Sequence, residues 1–133
     1  MVIVALGPVA RAAVTAAGIL GRRGLSCSVV VVASVSPAPV EDLVAACHGV
    51  DVVVTVEGHS IVGGLGSLVC EIAAEHGLGW RVVRCGVRSA PDGVGGSESF
   101  LNARHGLDGA GIVRAVEEAV AVASTPPSQR SGS

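Results

Sequence analysis

The chain has 133 residues, half of them apolar, and a formal net charge of −2. This length fits one compact domain that buries a core of its own. Only Trp80 and Phe100 are aromatic, and no basic stripe accompanies them, which argues against nucleic-acid binding. No stretch of about 18 uninterrupted apolar residues is present, so no membrane span is predicted.

The first third of the chain predicts a strand, a helix, a strand and a short helix. Val2–Leu6 is an apolar run typical of a buried strand in a parallel sheet. Gly7–Pro8 ends it at a favourable helix start, and the amphipathic helix that follows ends at Gly24. Cys27–Ala33, with four consecutive valines, predicts the second strand, and Val40–Cys47 predicts a short helix.

The middle of the chain repeats this order. Val52–Val56 predicts a third strand, followed by a glycine-rich loop from Glu57 to Gly66. Apolar side chains at helical spacing then predict a helix that ends near Gly77. Trp80–Val83 predicts a weaker fourth strand.

The last third predicts two helices and a tail. Ser97–Arg104 is a candidate short helix, and Asp108 is a suitable N-cap for the final helix. Thr125–Ser133 is rich in proline and serine and is predicted to be disordered, which leaves residues 1–124 as the domain. Alternating strands and helices imply βαβ units and a three-layer α/β/α fold around a mostly parallel sheet.

Cysteine and arginine usage add two further expectations. The four cysteines lack metal-type spacing and lie in apolar stretches, so we expect free thiols in a reduced, cytoplasmic protein. Arg81, Arg84 and Arg88 are spaced along and after the fourth strand. A contact with an acidic partner is one possibility for them, and a solvated sheet edge is the default.

The segment Val56–Ser67 carries the most functional information. Glu57, His59 and Ser60 follow a strand, and a Gly-Gly-x-Gly run then leads into a helix. Open α/β sheets bind ligands at the carboxyl ends of their strands, and glycines at a helix start admit anions. The spacing matches neither the dinucleotide fingerprint nor the Walker loop. A tight turn with close helix–sheet packing is therefore favoured over a phosphate cradle. The candidate binding or interface residues are Glu57, His59, Ser60, Gly63, Gly64 and Gly66.

The run Val-Glu-Gly-His-Ser-Ile-Val-Gly-Gly-Leu-Gly-Ser at these positions resembles the signature of the transketolase C-terminal domain family. In that family a strand ending in an acidic residue precedes a Gly-Gly-x-Gly helix start. His105–Val113 is similar to the family's Gly-Leu-Asp-x-x-Gly-Ile sequence before the last helix, and the similarity extends over about residues 2–123. The resemblance implies a three-layer α/β/α domain with a mixed, mostly parallel, five-stranded sheet.

The resemblance also implies a thiamine-diphosphate-dependent enzyme that transfers a two-carbon ketol unit between sugar phosphates or related acceptors. In that family thiamine diphosphate and Mg²⁺ lie between a diphosphate-binding and a pyrimidine-binding domain. This sequence resembles neither of them, so no catalytic, cofactor-binding or metal-binding residue is carried over. We expect companion chains to supply both domains in an oligomer that this chain completes. The strand that starts at Val2 fits a gene split at a domain boundary, and a piece of a longer protein is the alternative.

Several roles stay open from the sequence. Glu57 either contacts a partner domain or caps the glycine loop, and local capping is favoured. His59 touches substrate or a neighbouring subunit, or is simply exposed, and His105 is expected on the surface or at an interface. The same domain also serves 2-oxoacid dehydrogenases and deoxyxylulose-phosphate synthases. A non-enzymatic module that holds a small anion at Gly63–Ser67 is the hypothesis from another class.

Overall fold

A computed structural model describes residues 1–88 and 93–124. The predicted disorder of Thr125–Ser133 lies outside the described residues. The elements in chain order are β1 (Val2–Leu6), a 3-10 turn (Gly7–Val9), α1 (Ala10–Arg22), β2 (Ser28–Val32), α2 (Val40–Ala46), β3 (Val52–Ser60), α3 (Leu65–Glu75), β4 (Arg81–Val87), α4 (Glu98–Arg104) and α5 (Gly109–Ser124).

The sheet confirms the predicted α/β class and corrects its details. Among the described residues it has four strands in the order β2-β1-β3-β4, and every pairing is parallel. The five-stranded mixed sheet implied by the resemblance is therefore wrong for this part of the chain. After β4 the next described element is the helix α4, whose first turn is capped by Ser97: its hydroxyl oxygen accepts a hydrogen bond from the Phe100 N–H at 3.2 Å.

Helices cover both faces of the sheet, as the three-layer prediction requires. Alternate residues of β1 point to opposite faces. Ile3 and Ala5 pack with buried residues of α1 and α5, such as Leu20 and Ile112. On the other face Val2 and Val4 of β1 and Val53 of β3 pack with α2 and α3, where Leu43 and its neighbours are buried. The core is aliphatic, as the scarcity of aromatic residues predicts.

Two strands are longer than the sequence predicts. β3 continues past Val56 to Ser60, and β4 continues past Val83 to Val87. Pairing supplies the reason, because Glu57 pairs with β1 and Ser60 pairs with β4 across a register irregularity. The predicted loop from Glu57 to Gly66 thus shrinks to residues 61–64 between β3 and α3, which we call the β3–α3 loop.

Thiols, ion pairs and helix lengths complete the description. All four cysteines are free, as predicted. Among residues 1–88 and 93–124 the one salt bridge joins Arg23, just after α1, to Glu117 of α5 at 2.6 Å. None of the described helices is long and apolar enough to cross a membrane.

Candidate functional site

The carboxyl edge of the sheet contains the predicted ligand position. β1 is central, and the chain pairs it first with β2 on one side and then with β3 on the other. Loops diverge at such a switch point, where α/β sheets bind ligands. A cavity of about 490 Å³ lies here, lined among others by Leu6, Asn102, His59 and His105. The structure therefore brings the two histidines singled out from the sequence to one cavity.

Glu57 also lies at this edge but does not line the cavity, and its side chain is only 1% exposed. Its Oε2 accepts a hydrogen bond from the N–H of Leu65, eight residues further along the chain. Leu65 is the first residue of α3, so the carboxylate caps the positive end of that helix dipole. This is the local role that the sequence favours. Because Glu57 is buried, it does not meet a partner at the surface.

Each glycine of the Gly-Gly-x-Gly run occupies a position where a side chain would be unfavourable, for a reason specific to that position. Gly63 has φ +76°, a left-handed conformation that L side chains rarely adopt. A Cβ on Gly64 would lie 2.5 Å from Oε1 of Glu57, and a Cβ on Gly66 would lie 2.7 Å from Nε of Arg84. The last two glycines therefore allow the start of α3 to approach polar side chains of the sheet, in agreement with the favoured tight turn.

Ser67 and Arg84 hold the β3–α3 loop. Ser67 Oγ accepts hydrogen bonds from Gly63 N at 3.0 Å and from Arg84 Nη2 at 2.9 Å, and it donates to the Ile61 carbonyl at 3.3 Å. The hydroxyl thus uses its donor and both acceptor positions. Arg84 also donates from Nη2 to the Ile61 carbonyl.

The loop has two further attachments. Ile61 N donates to the carbonyl of Val87 on β4 at 2.9 Å. The candidate residue Ser60 contributes as an acceptor, since its Oγ receives the N–H of Val62 at 3.3 Å. Every N–H from residue 61 to residue 63 is therefore bonded.

Arg84 is the residue that sequence reasoning missed. The sequence favours a solvated sheet edge for it, yet its guanidinium is half-buried and turned towards the start of α3. The two-residue period of β4 could have predicted this position. Val82 packs with α3 and its neighbours, and Arg84, two residues later, points to the same face of the sheet. Thr55 was missed too. Its Oγ1, Oε1 of Glu57 and Nε of Arg84 are buried without a hydrogen-bond partner in the described part of the chain.

These residues do not fit the diphosphate of thiamine diphosphate or another small anion at the Gly-Gly-x-Gly loop. The amino terminus of α3 already holds the Glu57 carboxylate, and the second oxygen of that carboxylate is a buried acceptor beside Gly64. A phosphate there would meet a like charge at the position where an anion site needs donors. In residues 1–88 and 93–124 no three His, Cys, Asp or Glu side chains form a group that could hold a metal ion.

Comparison with known proteins agrees with the motifs. The family model described as "Transketolase, C-terminal domain" matches residues 1–112. This chain belongs to the transketolase C-terminal domain family. A solved structure titled "Split gene transketolase, inactive beta4 tetramer" has the same fold, with a TM-score of 0.78 and 37% identity over 90% of this chain and 39% of that one.

Curated relatives of this family member are larger proteins. It is 36% identical to a subunit of the apulose-4-phosphate transketolase of Actinobacillus succinogenes, over 84% of this chain and 36% of that protein. It is 42% identical to the 1-deoxy-D-xylulose-5-phosphate synthase of Syntrophotalea carbinolica, over 86% of this chain and 18% of that protein. The chain thus spans about a third of the length of the first of these relatives and about a fifth of the length of the second.

Proposed function

We propose that this chain is the C-terminal, structural component of a thiamine-diphosphate-dependent transketolase-type enzyme. The enzyme transfers a two-carbon ketol unit between sugar phosphates or related acceptors. Thiamine diphosphate and Mg²⁺ bind to companion chains that carry the diphosphate- and pyrimidine-binding domains. This chain completes the oligomeric assembly in the cytoplasm and carries no chemistry of its own.

The observation that carries this proposal is the state of the glycine-rich loop. The motif most suggestive of a ligand site is filled by the chain's own carboxylate, Glu57, and fixed by Ser67 and Arg84. A loop whose helix terminus is already capped by the chain's own carboxylate serves packing rather than phosphate binding. The similarity to the apulose-4-phosphate transketolase subunit and to the split-gene transketolase, over 36% and 39% of their lengths, supports a role beside further domains.

Complex formation tests the proposal. The chain is expressed together with the chains of its own organism that carry the two cofactor-binding domains, and the mixture is analysed by size-exclusion chromatography with light scattering. We expect a stable complex that contains both. Separate elution at micromolar concentrations of each chain would contradict the proposed role.

The 42% identity to a 1-deoxy-D-xylulose-5-phosphate synthase favours a second candidate. In this alternative the chain has the same structural role in a synthase of that type, or in a 2-oxoacid dehydrogenase. The donor that the reconstituted complex accepts discriminates between these candidates. A transketolase uses a ketose phosphate donor, whereas a synthase of that type or a 2-oxoacid dehydrogenase uses a 2-oxoacid donor.

A non-enzymatic module that binds a small anion remains as the candidate function from another class. In the described structure the cavity lined by His59 and His105, not the glycine loop, is the better candidate for the anion site. Calorimetry of the isolated chain with inorganic phosphate tests it, and a saturable heat that is lost in His59→Ala would favour this module over the structural role.

A further inference from the structure

A cavity of about 670 Å³ opens between β4 and α5. The charged residues and the histidine that line it are Arg84, Arg88, Arg104, His105, Arg114 and Glu118. Four of the nine basic residues of the chain therefore meet at this cavity, with one carboxylate among the described lining residues. The chain as a whole has a formal net charge of −2, so the cavity is far more basic than the chain as a whole. A concave site with an excess of cations attracts anions.

The turn between α4 and α5 brings two of these arginines to the cavity. Gly106 follows α4 in a left-handed conformation, with φ +69°. A Cβ on Gly111 would lie 2.4 Å from the carbonyl oxygen of Gly106, so a glycine at position 111 lets α5 begin close to this turn. Oδ1 of Asp108 accepts a hydrogen bond from the Gly111 N–H at 2.9 Å and fixes the start of the helix. Arg104 at the end of α4 and Arg114 in the second turn of α5 therefore line one cavity.

Arg88 and Arg114 are not neutralised by a carboxylate in the described part of the chain. The one salt bridge of that part joins α5 to the residue after α1 and includes no lining residue of the cavity. Arg114 and Glu118 lie one turn apart on α5, yet they form no salt bridge. Arg88 donates from Nη2 to the carbonyl of Arg84 at 2.9 Å, and its guanidinium has further N–H donors beyond this bond. Both side chains are exposed, so a ligand can reach them.

The position of Arg88 is further defined by Cys85, which also lines the cavity. Burial raises the pKa of the Cys85 thiol, and Arg88 is close enough to lower it in part. Cys85 belongs to the core cluster that β4 shares with α5. The charge of Arg88 therefore acts on the α5 side of the sheet, where Arg114 lies. The two arginines approach the cavity from its two walls, the end of β4 and the exposed stripe of α5.

The size and lining of the cavity identify the class of ligand. Cavities of this volume are typical of small-molecule sites. A guanidinium group binds phosphate oxygens through two parallel N–H···O bonds, and a phosphate monoester carries about −1.5 to −2 charges at pH 7. Several arginines around one site therefore favour a phosphate over a single carboxylate. Val83, Ala119 and Val122 also line the cavity and offer apolar surface to the organic part of such a ligand.

We propose that the cavity between β4 and α5 binds a small organic phosphate monoester, with Arg88 and Arg114 as the residues that hold the phosphate group. The proposal goes beyond the proposed function, because the site lies within this chain and does not need the companion chains. It also differs from the anion site considered above, which is lined by His59, although His105 borders both cavities.

Titration of the full chain with ribose 5-phosphate at low ionic strength, followed by calorimetry, tests this site, with ribose as the uncharged control. We expect saturable binding of the phosphate and none of ribose. Arg88→Ala and Arg114→Ala should each weaken binding about 10-fold or more, because each removes a charged pair of donors. Arg22→Ala removes an exposed arginine at the end of α1 and should change binding less than about 2-fold.

The outcomes separate this site from its alternatives. Absence of saturable binding by wild type, equal binding of ribose, or unchanged affinity in both arginine variants would each overturn the proposal. Binding that is lost in His59→Ala but kept in the arginine variants would place the phosphate in the other cavity and overturn it as well. Circular dichroism checks the fold of each variant. Formation of the complex with companion chains is measured separately, so failure of the phosphate site leaves the proposed function standing.

Discussion

The carboxylate of Glu57, near the end of β3, caps the backbone N–H of Leu65, the first residue of α3. This contact joins a strand to the helix that follows it through a side chain that is 1% exposed. The Glu57 carboxylate occupies the amino terminus of α3, where the glycine-rich sequence suggests a phosphate site. The glycines suggest an anion site in the sequence, and the carboxylate that precedes them closes that site in the structure.

Removal of the cap should destabilise the domain. Glu57→Ala leaves the N–H of Leu65 without its acceptor and opens a cavity, so we expect a loss of about 2–3 kcal/mol in the free energy of unfolding. Urea denaturation measures this loss. Glu118→Ala is the control, because that glutamate is exposed on α5 and should cost less than about 0.5 kcal/mol. A loss at Glu57 no larger than that of the control would show that the cap contributes little.

Alanine at Gly64 and Gly66, at the start of α3, should have the opposite effect on stability from alanine at Gly21 in α1. Gly64→Ala and Gly66→Ala place a Cβ within 2.5–2.7 Å of polar side-chain atoms, so each should cost about 2 kcal/mol or more. Gly21→Ala, inside α1, meets no atom within 4 Å and should stabilise by about 0.5–1 kcal/mol. Thermal unfolding of the three variants gives the comparison, and equal melting temperatures would contradict the close approach.

The hydroxyl of Ser67 should control the mobility of the β3–α3 loop. Ser67→Ala removes the acceptor of the Gly63 N–H and one acceptor of Arg84. We expect amide hydrogen exchange at Gly63 to become at least about 10-fold faster, while exchange in the middle of α5 changes little. Exchange measured by NMR distinguishes this local effect from global destabilisation, which would accelerate both regions together.

Alkaline pH should act on stability through the buried thiols. Burial raises the pKa of Cys85 from its usual value near 9 to about 11, although the nearby guanidinium of Arg88 lowers it in part. Burial also raises the pKa of Cys27 and of Cys47. Because the folded pKa exceeds the unfolded value, the stabilisation is complete below pH 9 and is lost as pH rises to about 11.

The chain has no lysine and no tyrosine, so few other groups titrate in this range. We expect the free energy of unfolding to fall by about 2–3 kcal/mol between pH 9 and 11 through Cys85 alone. Cys85→Ala should have a lower stability at pH 8 and a shallower decline above pH 9. Identical slopes for variant and wild type would show that Cys85 ionises normally. Denaturant titrations at each pH provide the data.

The sequence predicts the strands, the helices and the three-layer fold because apolar runs and helical spacing are local signals. The extension of β3 over residues 57–60 is not local, since it depends on pairing with β1 and β4. The position of Arg84 depends on which face of β4 lies under α3. Glu57 could be predicted as a cap, but its burial and its effect on anion binding follow only from the packed structure.

We propose that this chain completes an enzyme whose cofactor and chemistry lie on companion chains. Ketol transfer from a ketose phosphate to an aldose phosphate, measured with purified companion chains, thiamine diphosphate and Mg²⁺, tests this proposal most directly. We expect activity when this chain is added and little or none when it is left out. Full activity of the companion chains alone would contradict the claim.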